Sequence, residues 1–167
     1  LIPTRATARP DDHPEMMTRE IGNRVIQAIE ENLDCVLATI AAPDIIAHTG
    51  NFNAGIAAIR VVDETAGAIV QAALAKNASV IITGDHGNIE QMRDPKTGVS
   101  ETKHNRNPVP FYLIDTAFER IKNARQIAES EEQTIGILAD IAPTVLHLMD
   151  IPQPRDMSGK SLIGTLI

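Results

Sequence analysis

The residues of this sequence that are best suited to metal chemistry follow a short apolar run. Val80–Ile82 are β-branched and predict a buried strand, and Asp85 and His86 come shortly after it, between two glycines. In open α/β sheets, ligands bind beyond the carboxyl ends of the strands, so functional groups are expected here. A carboxylate beside a neutral imidazole favours a divalent metal such as Mn²⁺ or Zn²⁺. The alternative is an ordinary turn, in which the acid caps a helix and the histidine is exposed.

A second set of candidate ligands combines close spacing with a long loop. Asp44 follows the apolar segment 35–40, and His48 lies four residues later, the spacing that puts two side chains on one helical face. His104 lies in the long polar stretch 84–107, and such a loop inside a compact domain is usually functional or disordered. Taken singly, either histidine is explained as a helix-terminal or exposed loop residue. Together, ligands at neighbouring strand ends are typical of a catalytic metal site.

The order of apolar patterns predicts an α/β fold with a parallel or mostly parallel sheet, because strands and helices alternate. The predicted helices and strands are helices over 14–33, 51–75, 118–130 and 137–149, and strands over 35–40, 78–83 and 109–114. Residues 1–14 contain three prolines and predict an irregular linker. The domain itself is therefore predicted to comprise residues 15–167.

The composition indicates a globular domain in a reducing compartment. Hydrophobic residues make up 43% of the 167 positions and charged residues 22%, which favours a packed core over disorder. The net charge of −7 and the lack of a basic cluster argue against a nucleic-acid partner. No apolar stretch is long enough for a membrane span, and no signal peptide is evident. The one cysteine, Cys35, fits the cytoplasm, and its apolar neighbours predict a buried, inert thiol.

Beyond these patterns, most of the sequence resembles one enzyme family. Three stretches carry the candidate ligands: Pro43–Gly50, Thr83–Asn88 and His104–Phe111. They resemble motifs of the cofactor-independent phosphoglycerate mutases, which belong to the alkaline phosphatase superfamily. The similarity extends, in the family's order, through residues 13–16, 62–64, 91–95, 136–144 and 157–162. It covers nearly the whole chain, so we treat it as specific.

The resemblance implies an alkaline phosphatase-like α/β/α sandwich with two metal ions, of which this chain forms a part. In the family, residues matching Asp44, His48 and His104 hold one Mn²⁺. Those matching Asp85 and His86 hold the other, together with an Asp and a nucleophilic Ser. Zn²⁺, Mg²⁺ and Co²⁺ are alternatives to Mn²⁺. The Ser takes the phosphoryl group of phosphoglycerate and returns it to the other hydroxyl, which interconverts 2- and 3-phosphoglycerate.

Several departures from the family pattern limit what this chain is expected to do. The family's Asp, nucleophilic Ser and arginine-rich substrate domain have no match here, so the chain is expected to be a C-terminal portion that is inactive alone. Arg5 is the nearest candidate for the family's substrate-binding Lys, although Arg forks where Lys is a point charge. Ala47 replaces a usual Gly, and Asn105–Arg106 replace a usual Thr-Thr.

Two other functions stay open at this point. The ligand motifs are shared across the superfamily, so the chain could belong to a phosphopentomutase or a phosphomonoesterase. A non-catalytic truncated binding module would instead leave its sheet short of strands, with an apolar edge exposed. The partners expected are phosphoglycerate, as substrate of the complete enzyme, and either the missing N-terminal segment or a second copy of the chain.

Overall fold

The computed structural model describes residues 2–3 and 8–166 of the chain, which contain both helices and a short sheet. The regular elements are α1 (Thr18–Glu30), α2 (Ala42–Ala47), α3 (Phe52–Ala75), β1 (Val80–Thr83), β2 (Phe111–Ile114), α4 (Ala124–Glu132), α5 (Ile141–Leu148) and α6 (Ile163–Leu166). Short 3₁₀ turns lie at Pro10–Asp12, Ile89–Gln91, Thr116–Phe118 and Leu138–Asp140. None of the helices in the described ranges has the length and apolar content needed to cross a bilayer.

The helices α1 and α3 pack closely and form the framework for α2. Gly22 of α1 lies so near Thr65 of α3 that a Cβ at position 22 would be 2.3 Å from the Thr65 Cγ2. α3 begins after Asn51, whose side chain accepts a hydrogen bond from the Ala54 N–H. The buried cluster beside them comprises Met16, Ala42, Ile46, Ala54 and Ala58. Because Ala42 and Ile46 belong to α2, this cluster anchors α2 against α3.

The sheet consists of β1 and β2, which pair antiparallel. Val80 lies opposite Ile114, and Thr83 lies opposite Phe111. Both strands lie within the ranges predicted from the sequence, but the mostly parallel sheet is not seen in the described part of the chain. The pairing does place the polar turn after β1 beside the residues that lead into β2.

The apolar segment 35–40 has no regular secondary structure, although the sequence predicted a buried strand. Val36 is 36% exposed and Leu37 is 94% exposed. Cys35 is also exposed, so the prediction of a buried thiol is wrong. A strand exists through its hydrogen bonds to a neighbour, and within residues 2–3 and 8–166 no strand pairs with this segment.

The C-terminal region is fastened by two polar side chains, Asp140 and Thr144. The Asp140 carboxylate accepts hydrogen bonds from the Ile137 and Lys160 backbone N–H groups at 2.9 and 2.7 Å. These two bonds hold the pKa of Asp140 below its ordinary value. The fully buried Thr144 hydroxyl donates to the Asp140 carbonyl at 2.7 Å and accepts from the Leu162 N–H at 2.9 Å. The tail is thereby tied to the start of α5.

The prediction over 51–75 is confirmed by α3, whereas α1, α4 and α5 are shorter than the helices predicted over 14–33, 118–130 and 137–149. α1 begins at Thr18 because Met16 has a φ of 43°, which an α-helix does not accommodate. α5 begins at Ile141 after a 3₁₀ turn. Pro143 lies in the first turn of α5, where its missing N–H breaks no intrahelical hydrogen bond.

Candidate metal centre

Asp44 and His48 are brought together by the single turn of α2. Asp44 lies in the first turn of α2. His48 comes directly after the last residue of the helix and itself has helical backbone angles, φ −63° and ψ −19°. The His48 N–H donates to the Asp44 carbonyl over 3.1 Å, so the two side chains share one face of the helix. Their Oδ1 and Nε2 atoms are 3.3 Å apart. Ile46, which lies between them in sequence, is fully buried and holds the turn in place.

The loop between β1 and β2 brings His104 to the same place. Asn105 forms an isolated bridge with Gly87, in which the Asn105 N–H donates to the Gly87 carbonyl over 2.9 Å. This bridge folds the loop back over the end of β1. As a result, the His104 Nε2 lies 3.0 Å from the Asp44 Oδ1 and 3.0 Å from the His48 Nε2.

These three donor atoms are spaced as ligands of a single cation. Their separations are 3.0, 3.0 and 3.3 Å. In a tetrahedral site with bonds of about 2.0–2.1 Å, the ligand atoms lie about 3.3 Å from one another. A carboxylate oxygen with two imidazole nitrogens suits Mn²⁺ or Zn²⁺. The three side chains are between 40% and 49% exposed, so the centre is open to solvent and has free ligand positions.

A backbone carbonyl determines which nitrogen of His48 carries a proton. The Nδ1 atom lies 2.6 Å from the Thr102 carbonyl oxygen, which can only accept a hydrogen bond. Nδ1 is therefore the donor, and the Nε2 of the neutral ring keeps its lone pair. That lone pair is on the side that approaches Asp44 and His104. A carbonyl that orients the ring in this way is typical of metal-binding histidines.

His86 and Asp85 lie beside this group of three. The His86 Nε2 is 3.9 Å from the Asp44 Oδ1 and 3.7 Å from the Asp85 Oδ1. Its ring stacks on that of His104, with 3.7 Å between the centroids. Donor atoms of Asp44, His86 and His104 also lie within 4.8 Å of one another, so His86 is an alternative third ligand. The shorter distances favour His48 instead, and the Asp85 side chain is 90% exposed.

Asn88 supports the carboxylate of Asp44. It is 4% exposed, and its Nδ2 donates to the Asp44 Oδ1 over 2.8 Å. Burial raises the pKa of Asp44, but this hydrogen bond and the nearby imidazoles outweigh burial and hold the pKa below its ordinary value. Asp44 is therefore ionised at neutral pH, the form that binds a metal. In the described structure, the Asn88 Oδ1 and the His86 Nδ1 are buried without a hydrogen-bond partner. Two polar atoms beside the centre are therefore available to a ligand or a water molecule.

The five residues predicted as ligands all lie in this region, three of them with ligand-like spacing. Their role as ligands stays a prediction, and Arg5, predicted to bind substrate, lies outside the described residues. Sequence reasoning missed Asn88 and Thr102. Asn88 was detectable in principle, because it follows the Asp-His pair by two residues. Thr102 contributes only its backbone carbonyl, so its residue type carried no signal.

Comparison with protein families gives a match over most of the chain. The profile of the metalloenzyme superfamily matches residues 1–153, a range that includes every candidate ligand. The geometry of the donor atoms and the family match both indicate a metal-dependent protein.

Several curated relatives have the same printed name, 2,3-bisphosphoglycerate-independent phosphoglycerate mutase. Those of Clostridium botulinum (strain ATCC 19397 / Type A) and Clostridium kluyveri are 42% and 43% identical to this chain over 164 residues. That of Rhodopseudomonas palustris is 39% identical over 165 residues. Each alignment covers 98% of this chain and 30% of the relative. The chain thus spans about 30% of the length of the curated relatives it matches.

One solved structure is similar over nearly all of the chain. It is a phosphoglycerate mutase of Leishmania mexicana, determined at low cobalt concentration. The TM-score is 0.77 at 24% identity, and the similarity covers 95% of this chain and 30% of that one. At this identity, the similarity shows a shared α/β fold.

Proposed function

Because the chain belongs to the metalloenzyme superfamily, we propose that it is the C-terminal metal-binding portion of a phosphoglycerate mutase independent of 2,3-bisphosphoglycerate. The complete enzyme would interconvert 2- and 3-phosphoglycerate through a phosphoserine, as a cytoplasmic step of glycolysis. The observation that carries the proposal is the convergence of Asp44, His48 and His104 donor atoms to separations of 3.0–3.3 Å. The names of the relatives, at 39–43% identity, support a mutase over other metalloenzymes.

We assign one divalent cation, Mn²⁺ in the cell, to Asp44, His48 and His104. Asp85 and His86 would offer two donors to a second cation. When bound, such cations neutralise phosphoryl oxygens and activate an oxygen nucleophile. The residues of this chain would hold the donors in place before binding. Thr102 orients His48, and Asn88 orients Asp44, through the hydrogen bonds of the metal centre.

One side of the metal centre is exposed, as expected if residues outside this chain complete the centre in the whole enzyme. Asp85 is 90% exposed, although it is one of the proposed ligands. The nucleophilic Ser expected from the resemblance has no counterpart among these 167 residues, so the chain alone should not catalyse the reaction. Arg5 is proposed to contact the phosphoryl group.

The apolar segment 35–40 supports the same view of an incomplete domain. Its side chains Val36 and Leu37 are exposed, and its backbone pairs with no strand among the described residues. Exposed apolar residues in a strand-forming sequence are typical of a sheet edge that another strand covers. We propose that further strands of the complete enzyme pair here and form the mostly parallel sheet of an α/β/α sandwich. Residues 15–167 would be this chain's share of that domain, entered through the linker 1–14.

A chimera tests the proposed function. Residues 1–167 would replace the matching 30% of the Clostridium botulinum relative. The chimera should convert 3-phosphoglycerate to 2-phosphoglycerate in the presence of Mn²⁺, as followed by ³¹P NMR. The same chimera with Asp44→Asn should lose that activity, while the isolated chain should show none.

Three outcomes would contradict the proposal. A chimera that folds and binds Mn²⁺ but forms no 2-phosphoglycerate would exclude the mutase. Release of inorganic phosphate as the sole product would favour a phosphomonoesterase. Turnover by the isolated chain would show that it is not an incomplete enzyme.

A further inference from the structure

The carboxylate of Glu90 is held by three hydrogen bonds in the loop after β1. Its Oε1 accepts from the Asn105 Nδ2 at 2.7 Å and from the Asn107 Nδ2 at 2.9 Å. Its Oε2 accepts from the Asn88 backbone N–H at 2.7 Å. Glu90 itself is not among the candidate ligands. It nevertheless joins segments of the chain that are up to nineteen residues apart in sequence, from Asn88 to Asn107.

The partners of Glu90 adjoin the two sides of the candidate metal centre. Asn88 donates through its side chain to the Asp44 Oδ1 at 2.8 Å. Asn105 is the residue after His104, whose Nε2 approaches the same oxygen at 3.0 Å. Glu90 therefore links Asn88, which supports Asp44, to the loop that carries His104. If this link were cut, either side could move without the other.

All three partners of Glu90 are hydrogen-bond donors, and only a carboxylate can accept on both of its oxygens. A glutamine would present one oxygen and one NH₂ group. In either orientation its NH₂ group would face a donor, so at least one bond would be replaced by a repulsive contact. Burial raises the pKa of Glu90, but the bonds from Asn105, Asn88 and Asn107 outweigh burial and hold its pKa below the ordinary value.

The backbone around Glu90 leaves room for this network. Gly87 is buried, and a Cβ at that position would lie 2.7 Å from the Glu90 Oε1 and 2.1 Å from the Asn105 Oδ1. A side chain on residue 87 would therefore collide with the polar group at the centre of the network. The close approach of the chain is possible because position 87 has no side chain.

We propose that Glu90 is a positioning residue that sets the metal affinity of the candidate centre, because it fixes Asp44 through Asn88 and His104 through Asn105. The inference rests on the proposed function only in that it requires the metal centre. It adds a residue that touches neither metal nor substrate. A residue that hydrogen-bonds a metal ligand directly, as Asn88 does, typically contributes about 10–100-fold to metal affinity. Glu90 acts through such residues, so we expect the lower end of this range.

The experiment is a Mn²⁺ titration of the 167-residue chain, in which the EPR signal of free Mn²⁺ gives the dissociation constant. Glu90→Gln should weaken binding about 10-fold. Glu90→Asp keeps the charge and shortens the reach, so it should also weaken binding, which separates positioning from long-range attraction. Glu119→Gln makes the same charge change on an exposed residue after β2 and should leave the affinity within about twofold of wild type.

The outcomes distinguish failure of the positioning role of Glu90 from failure of the metal centre. If wild type binds Mn²⁺ and Glu90→Gln binds it equally well, the positioning role is wrong and the metal centre stands. If wild type binds no Mn²⁺, the proposed centre fails, and the role of Glu90 fails with it. If Glu90→Gln does not fold, Glu90→Asp decides the question, and unchanged affinity in that variant overturns the inference. A loss of thermal stability in the metal-free protein with unchanged affinity would show a merely structural role.

Discussion

Replacing His48 by alanine should remove most of the stability that Mn²⁺ gives this protein, and replacing His86 should remove much less. His48 has its Nε2 3.3 Å from the Asp44 Oδ1 and 3.0 Å from the His104 Nε2. The His86 Nε2 is 3.9 Å from the same carboxylate oxygen, and its ring stacks on His104. The first variant therefore loses a ligand of the cation assigned to Asp44 and His104. The second loses a ring that stacks on His104 and a donor that we assign to the second cation.

The expected size of the effect follows from linkage between binding and folding. With free Mn²⁺ at 100 times the dissociation constant, binding stabilises the folded state by about 2.7 kcal/mol. In a domain of this size that raises Tm by about 5–11 °C, at roughly 2–4 °C per kcal/mol. A variant with about 100-fold weaker binding keeps about 0.4 kcal/mol, or about 1–2 °C. A variant with about 10-fold weaker binding keeps about 1.4 kcal/mol, or about 3–6 °C.

The assay is thermal unfolding followed by circular dichroism, with and without Mn²⁺, for each variant. His147→Ala is the matched control, because this histidine lies on α5 and pairs with the Ser161 hydroxyl at 2.9 Å. It should keep the full Mn²⁺-dependent rise in Tm, whatever its own stability. A larger loss in His86→Ala than in His48→Ala would refute the ligand assignment and favour the group of Asp44, His86 and His104. No rise in the wild-type protein would refute the metal centre altogether.

Three further predictions concern the C-terminal region that holds the fold together. Thr144→Val leaves the buried Leu162 N–H without its acceptor and should cost about 1–3 kcal/mol in urea unfolding, whereas Thr144→Ser should cost much less. Gly159→Ala places a Cβ 1.9 Å from the Ala139 carbonyl oxygen and should cost at least about 2 kcal/mol in the same assay, because backbone must move. Asp140→Asn should be less stable than wild type at pH 6, and the difference should shrink as pH falls below about 4, because the lowered pKa of Asp140 contributes stability only while the carboxylate is charged.

The controls for these variants lie in the same part of the chain. Gly164→Ala has no atom within 4 Å of the new Cβ and should be neutral or slightly stabilising. Equal costs at Gly159 and Gly164 would contradict the steric argument. A stability difference between Asp140→Asn and wild type that stays constant between pH 6 and pH 3 would contradict the role of Asp140. Equal stabilities of Thr144→Val and wild type would show that the hydroxyl bonds add nothing.

Local patterns in the sequence were sufficient where the structure depends on local interactions. The apolar period predicts α3 to within one residue, and the i, i+4 spacing of Asp44 and His48 correctly predicts that their side chains share one helical face. His104 was correctly singled out in the long polar loop, which the bridge between Gly87 and Asn105 brings back to the end of β1. These features require only helix geometry and the order of elements along the chain.

Features that depend on partners elsewhere were not predictable from the sequence. The segment 35–40 has a strand-forming composition, but it pairs with no strand among the described residues, and exposed Leu37 is the consequence. The antiparallel pairing of β1 with β2 also depends on how the intervening loop folds. That loop is organised by Glu90 and its asparagine partners, whose side-chain bonds leave no periodic signal in the sequence.

The central claim is that Asp44, His48 and His104 form a single cation site, and anomalous scattering tests it most directly. Crystals of the chain would be soaked in Mn²⁺, and an anomalous difference map would be calculated from data collected at the manganese edge. We predict a peak at about 2.1 Å from the Asp44 Oδ1 and from the Nε2 atoms of both histidines. A well-ordered crystal with no peak among these three side chains would contradict it.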